Sequence, residues 1–121
     1  MKKLIFLLVM AVVVVGLVGL WAVEGYADAP VIQGTVFHGG DPVSGYTIMC
    51  FSYPAGEWLW NEFSGWQGYW GSNNPMEVGE SYKIWACNGS WKGYRIIQYT
   101  GLGMWVEINA DTPGMCPPIN R

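Results

Sequence analysis

From Val31 onward, short apolar runs alternate with Gly, Pro, Asn and Asp every eight to twelve residues. Within these runs apolar and polar side chains alternate, and in Ser81–Cys87 the residues Tyr82, Ile84 and Ala86 share one face. Residues 31–121 contain no stretch of ten residues with helical spacing of apolar side chains. The pattern therefore predicts an all-β domain made of short strands.

Seven strands are predicted, over residues 31–37, 46–53, 57–63, 66–70, 81–87, 91–100 and 104–109. In the last of them, alternation places Met104, Val106 and Ile108 inward and Trp105 and Glu107 outward. A domain of about 90 residues buries only somewhat over 60% of the surface of its unfolded chain. Seven short strands in so small a domain favour a two-sheet sandwich over a barrel that encloses a ligand.

Residues 4–23 form a run of twenty residues without a charge, directly after Lys2 and Lys3. A basic N-terminus stays in the cytoplasm while such a run enters the bilayer, so the rest of the chain is exported. As a signal peptide, the leader is cleaved after Ala27. As a signal anchor it is retained as a transmembrane helix, because twenty residues match the thickness of a bilayer. Both interpretations place the domain outside the cytoplasm, in the extracellular space, at the cell surface or in the periplasm.

The chain is thus divided into a leader (1–27), a β-sandwich domain (28–109) and a Pro-rich C-terminal tail (110–121). A length of 121 residues has room for one domain. The three prolines of the tail predict that it does not extend a sheet. The predicted fold class is an all-β, seven-strand, two-sheet sandwich preceded by one N-terminal apolar helix.

The exported part of the chain is acidic. Residues 28–121 contain four Lys or Arg and eight Asp or Glu, a net charge of -4. An acidic, Lys-poor surface repels polyanions, so we expect no nucleic-acid partner.

The sequence offers little for catalysis. The single histidine, His38, lies beside two glycines in a predicted loop, and no Ser or Cys lies in a recognisable nucleophile motif. Glu57 and Glu62 are five residues apart, which on a strand places them on opposite faces and not as a catalytic pair. The Cys and His residues lack the spacing of a zinc site, and the acidic residues do not form a calcium loop. We therefore expect no enzymatic activity, no metal and no cofactor.

Three cysteines, Cys50, Cys87 and Cys116, lie in the exported part of the chain, where oxidation is expected. Cys50 shares a face with Tyr46 and Ile48, which indicates a buried thiol, whereas Cys87 lies at a strand end on the opposite face from its apolar neighbours. Cys116 belongs to a tail that needs fastening. The favoured disulfide is Cys87–Cys116, and Cys50–Cys87 is the alternative.

Asn88 begins the sequence Asn88-Gly89-Ser90, an N-x-S acceptor at a predicted turn. It is a glycosylation candidate in a host that glycosylates exported proteins.

Three segments carry a family resemblance, namely Val31-Ile-Gln-Gly-Thr-Val-Phe37, Asp41-Pro-Val-Ser-Gly45 and Gly79-Glu-Ser-Tyr-Lys-Ile-Trp-Ala86. They resemble the I-x-G-x-V, G-x-P-V-x-G-A-x-V and G-x-Y-x-I-x-A framework of carboxypeptidase regulatory-like domains. Gly68-Tyr69-Trp70 is similar to the family's G-x-F, and Gly93-Tyr94 to its G-Y. The resemblance covers about residues 31–108. It implies a transthyretin-like sandwich, close to the Cna B-type repeats of surface adhesins, with an accessory and non-catalytic role.

Residues 57–70 hold six aromatic side chains in fourteen residues, namely Trp58, Trp60, Phe63, Trp66, Tyr69 and Trp70. A sandwich of this size cannot bury all of them. Exposed aromatic platforms with polar neighbours stack sugar rings or anchor protein interfaces. In the competing interpretation, half of the rings belong to the core and the rest fill crevices between loops.

The predicted function is a non-enzymatic, extracytoplasmic structural or interaction module, either a membrane-tethered subunit or a component of a cell-surface or filament-like assembly. Its partners are other protein subunits, self or hetero, and the membrane through residues 4–23 if the leader is retained. The alternative is a carbohydrate-binding module that holds a polysaccharide on the 58–70 platform. A sugar binder keeps two or three coplanar, solvent-facing Trp rings with a carboxylate or amide between them. An interaction subunit exposes a contiguous apolar patch larger than a few hundred Å².

Overall fold

Residues 30–119 fold into two β-sheets in a computed structural model, which describes this part of the chain. The strands are β1 (Ile32–His38), β2 (Asp41–Pro42), β3 (Thr47–Ser52), β4 (Trp58–Phe63), β5 (Tyr69–Ser72), β6 (Ser81–Cys87), β7 (Trp91–Gln98), β8 (Met104–Asn109) and β9 (Thr112–Pro113). One turn of 3-10 helix, Trp66–Gly68, precedes β5.

Sheet A is organised around β1, which pairs with β8 in parallel, with β5 antiparallel, and with β2 antiparallel at its C-terminal end. Sheet B contains the remaining strands in the order β4-β3-β6-β7-β9, and all of its pairings are antiparallel. The two sheets pack face to face as a β-sandwich. This arrangement agrees with the all-β, two-sheet architecture expected from the sequence.

Alternating apolar side chains from both sheets form the core. The fully buried ones include Ile32, Val36, Ile48, Cys50, Ile84, Ala86 and Ile108. Each large apolar side chain removed from water contributes about 1.5 to 3 kcal/mol to folding. The faces expected to point inward on β6 and β8 are buried in the core. On β3 both faces are buried, because Ile48 and Cys50 lie in the core while Met49 and Phe51 pack against the tail.

The predicted fold class is wrong in its strand count. Nine strands are present where seven were expected, and residues 30–119 contain no α-helix. The two additional strands, β2 and β9, have two residues each, which is too short for an alternation pattern to reveal. The predicted N-terminal helix lies outside the described residues. Within residues 30–119, no helix has the length and apolar character that crossing a bilayer requires.

The tail also departs from its prediction, because Thr112 and Pro113 extend sheet B beside β7. Pro113 is tolerated there since β9 is an edge strand, where a missing N–H need not break a ladder. The Gly114 N–H then donates to the Ser90 carbonyl oxygen over 2.9 Å. The tail is thereby held to the loop that connects β6 to β7.

The predicted strand over residues 66–70 begins three residues later, at Tyr69. Gly68 has φ +76°, and a Cβ on it would lie 2.6 Å from the Val36 carbonyl oxygen and 3.0 Å from the Val43 nitrogen. The chain therefore turns in the left-handed region at this close approach before it enters β5.

Cys87 and Cys116 form a disulfide with their Cα atoms 5.2 Å apart. The bond fastens the tail to the outer face of sheet B, where Cys116 and Ile119 pack against Met49 and Phe51. A disulfide in a small domain indicates a non-reducing, extracytoplasmic environment.

Cys50 is a free thiol buried between the sheets. Burial raises the pKa of this thiol from 9.0 to about 12, because the thiolate is poorly solvated in the core. Cys50 therefore stays protonated near neutral pH and does not act as a nucleophile.

Reducing the Cys87–Cys116 bond is expected to lower the free energy of unfolding by about 3 to 4 kcal/mol, because the bond restricts the unfolded chain across a separation of 29 residues. Urea unfolding with and without reductant measures the loss. The double variant Cys87→Ser/Cys116→Ser should match the reduced protein, and Cys50→Ala should keep the response to reductant. Equal stability of the oxidised and reduced proteins would contradict this account.

Candidate functional site

Two of the six aromatic residues expected to form a platform belong to the core. Trp60 is 5% exposed and Trp70 is 1% exposed, with ring centroids 6.4 Å apart. Their indole N–H groups have no hydrogen-bond partner among residues 30–119, so these rings stabilise the fold through apolar area. Neither ring faces solvent.

Two others, Trp58 and Phe63, lie at the ends of edge strand β4. Trp58 packs against Met49 and Phe51 on the outer face of sheet B, and its Nε1 donates to Asn61 Oδ1 over 2.7 Å. Phe63 is 69% exposed. The six residues are therefore distributed over several environments and do not form one platform.

Trp66, Tyr69 and Trp105 line a groove of about 400 Å³. Alternation along the last predicted strand places Trp105 outward, but the sequence assigns it no role. Trp66 is 82% exposed, Trp105 49% and Tyr69 43%. The other lining residues are Thr35, Gly65 and Gln67. Three exposed aromatic rings thus surround one concave surface on the outer side of sheet A.

Strand pairing builds the floor of this groove. Thr35 on β1 pairs with Tyr69 on β5 and with Glu107 on β8, and Gln33 pairs with Trp105. Since side chains alternate along each strand, all five of these residues lie on the outer face of sheet A. The parallel β1–β8 pairing therefore brings Trp105 beside residues some seventy positions earlier in the chain.

Hydrogen bonds hold the floor in place. The Tyr69 hydroxyl donates to Gln33 Oε1 over 2.9 Å, and Gln33 Nε2 donates to the Gly103 carbonyl oxygen over 3.2 Å. The rings of Tyr69 and Trp105 have centroids 6.1 Å apart and planes tilted by 41°. These two rings therefore form angled walls and not the flat, coplanar platform expected of a sugar binder.

The 3-10 turn places Trp66 and Gln67 at the groove. Gln67 has φ 52° and ψ 32°, in the left-handed region, which costs a residue with a side chain about 1 to 2 kcal/mol. The Gly68 N–H donates to the Gly65 carbonyl oxygen and the Gly65 N–H to the Tyr69 carbonyl oxygen, over 2.9 and 2.7 Å. The backbone of the turn is therefore fixed at both ends.

The residues that line the groove are uncharged, and the Glu107 carboxylate lies beside them on the same face of sheet A. The lining consists of aromatic rings, a hydroxyl, an amide and a glycine, and it includes no Lys, Arg, His, Asp or Glu. Such a surface stacks against apolar faces and exchanges hydrogen bonds with neutral polar groups. Within the described residues, no group of three or more His, Cys, Asp or Glu could hold a metal ion.

His38 lies away from the groove lining, at the end of β1. Its Nδ1 donates to the Ala110 carbonyl oxygen over 2.8 Å and lies 3.4 Å from Asp111 Oδ1. The imidazole also packs against the Trp91 ring, with centroids 4.5 Å apart and planes tilted by 48°. These contacts hold the start of the tail against the sandwich.

Asn88 lies in the exposed turn between β6 and β7. Its Oδ1 accepts hydrogen bonds from the backbone N–H groups of Ser90 and Trp91, over 2.9 and 2.8 Å. The residue therefore has a role in the turn, and its glycosylation stays a prediction.

Comparison of the sequence with protein-family models gives no match, and comparison with the curated proteins gives none. The resemblance to carboxypeptidase regulatory-like domains is supported at the level of a two-sheet β-sandwich. The groove is therefore the feature from which a function can be inferred.

We expect replacement of a core aromatic residue to lower the free energy of unfolding much more than replacement of a groove residue. Trp70→Ala should lower the free energy of unfolding by about 3 to 5 kcal/mol, because it leaves a cavity in the core. Trp66→Ala should change it by less than about 0.5 kcal/mol, because the ring is exposed. Urea unfolding of both variants tests this difference. A similar loss in the two proteins would show that Trp66 is part of the core.

Proposed function

We propose that this domain is a non-enzymatic carbohydrate-binding module that works outside the cytoplasm and holds its ligand in the groove of Trp66, Tyr69 and Trp105. The observation that carries this proposal is the exposure of three aromatic rings around one concave surface whose lining is uncharged. The planes of Tyr69 and Trp105 are tilted by 41°, so the groove is not the coplanar platform that the sequence predicts for a sugar binder. We propose instead that the ligand lies in the groove and contacts the rings from different sides.

The exposure of these aromatic rings to water favours a ligand that covers them. Burial of such a side chain contributes about 1.5 to 3 kcal/mol, and this stabilisation is unused while Trp66 and Trp105 face solvent. A pyranose ring has an apolar face of C–H bonds and a rim of hydroxyl groups. The face fits against an indole, while the rim fits the Thr35 hydroxyl and the Gln67 amide. The volume of about 400 Å³ lies within the range of small-ligand sites.

The charges in and beside the groove indicate which kind of sugar can bind. The lining has no basic side chain. Glu107 is the register partner of Thr35 in the β1–β8 pairing and lies on the same face of sheet A. A polyanionic glycan in the groove would meet no basic side chain in the lining and would be repelled by the neighbouring Glu107 carboxylate. The ligand that fits is a neutral oligosaccharide or polysaccharide.

The fold and the location agree with this role. We infer that the chain is a transthyretin-like sandwich of the carboxypeptidase regulatory-like kind, exported to the cell surface, the extracellular space or the periplasm. The disulfide supports an oxidising location, where extracellular polysaccharides are accessible.

A second candidate is a subunit of a surface assembly whose partners are other copies of the chain or other proteins. It is favoured by the outer face of sheet B, where Tyr94 is 48% and Ile96 43% exposed. A side chain of the same sheet already covers part of that face, since Lys83 Nζ lies 4.1 Å from the centre of the Tyr94 ring. Sedimentation velocity over a range of concentrations would reveal such self-association.

Retention on insoluble cellulose and chitin, followed by calorimetry with soluble oligosaccharides, tests the proposal. Trp66→Ala and Trp105→Ala should each weaken binding at least about tenfold, equivalent to about 1.4 kcal/mol. Phe63→Ala is the matched control, because it removes an exposed aromatic ring that does not line the groove.

Unchanged sugar binding in both groove variants would contradict the proposal. Self-association that Tyr94→Ala or Ile96→Ala removes, without sugar binding by the unaltered protein, would favour the assembly subunit instead.

A further inference from the structure

We infer that Gln67 determines the specificity of the groove, and that its side-chain amide contacts a hydroxyl or acetamido group of the bound sugar. This inference rests on the proposed carbohydrate-binding function and identifies the residue that distinguishes one sugar from another by hydrogen bonding.

Gln67 is the only non-glycine residue with a positive φ among residues 30–119. All ten other positive-φ positions in this part of the chain are glycines. Glycine enters the left-handed region without a steric penalty, whereas a residue with a Cβ does not. The chain therefore places a side chain in this conformation at one position, and that position lines the groove.

The turn accounts for the backbone conformation of residue 67 but not for its side chain. At the next position, a Cβ on Gly68 would lie 2.6 Å from the Val36 carbonyl oxygen, so β1 excludes a side chain there. The hydrogen bonds of Gly65 and Gly68 then close the turn around Gln67. A glycine at position 67 would satisfy the same backbone geometry. Unfavourable conformations of this kind concentrate at functional sites.

The chemistry of the amide fits a sugar. A Gln side chain offers two N–H donors and a carbonyl acceptor, and a sugar hydroxyl both donates and accepts. The neighbouring amide of Gln33 is already bonded to the Tyr69 hydroxyl and to the Gly103 carbonyl oxygen. Gln67 is exposed at the groove beside Trp66, where a sugar stacked on the indole would present its hydroxyl rim. A site built to bond a particular polar group rejects ligands that lack it.

Two substitutions at this position separate a role in binding from a role in folding. Gln67→Gly relieves the backbone strain, and the greater freedom of glycine in the unfolded chain offsets part of this gain, so Tm should rise by about 2 to 5 °C. Affinity for the preferred oligosaccharide should fall at least about tenfold. Gln67→Asn keeps an amide and tolerates the left-handed region, but shortens the reach by one methylene. It should change the ratio of affinities between oligosaccharides by at least about fivefold.

The experiment uses the full chain and four neutral probes, cellohexaose, chitohexaose, laminarihexaose and xylohexaose, with calorimetry for affinity and thermal unfolding for Tm. Trp66→Ala is the reference for loss of stacking, and Phe63→Ala is the reference for an exposed residue outside the groove. A more stable but weaker-binding Gln67→Gly protein supports the inference.

Two results overturn the inference alone, since the proposed function survives whenever Trp66→Ala loses binding. One is a Gln67→Gly protein that binds all four probes like the unaltered protein. The other is a lowered Tm in Gln67→Gly, which would assign the side chain to the fold. Failure of the unaltered protein to bind any probe overturns the proposed function and this inference with it.

Discussion

The parallel pairing of β1 with β8 depends on a residue without a side chain at Gly34. A Cβ at this position would lie 1.7 Å from the Val106 carbonyl oxygen, which no side chain can accept. A Cβ on Gly93 would likewise lie 1.8 Å from the Asn109 carbonyl oxygen. These two glycines let β8 approach β1 in one sheet and β7 in the other. The first and last long strands thus close the sandwich around one core.

The groove follows from the same pairing. β1 lies between β5 and β8, so Tyr69, Thr35 and Trp105 reach the same outer face although they come from distant parts of the chain. Their neighbours on the inner face, Trp70 and Val106, are buried in the core. Because alternate residues of β5 and β8 face opposite sides, the core and the groove are built from the same strands. A register shift of one residue would exchange the two sets.

Local patterns in the sequence are sufficient to predict seven of the nine strands, although β5 begins three residues later than expected and the two-residue strands β2 and β9 escape notice. The alternation in Ser81–Cys87 identified the buried side chains of β6, and the apolar face that Cys50 shares identified a buried thiol. Strand pairing was not predictable in this way, because it depends on contacts between residues far apart in the chain. For this reason the sequence groups aromatic residues that are close along the chain, although Trp60 and Trp70 are buried in the core and Trp66 is exposed. Alternation predicts the correct face for Trp105, but only the β1–β8 register brings it to the same face as Tyr69.

The most direct test of the account is an NMR titration of the tryptophan indole N–H signals with a neutral oligosaccharide such as cellohexaose or chitohexaose. Assignments by single Trp→Phe substitutions distinguish the groove residues, Trp66 and Trp105, from the core residues, Trp60 and Trp70. The account predicts saturable shifts of the two groove signals, with the core signals unmoved. Shifts confined to Trp58 and Trp85 on sheet B, or no shift at any indole, would contradict it.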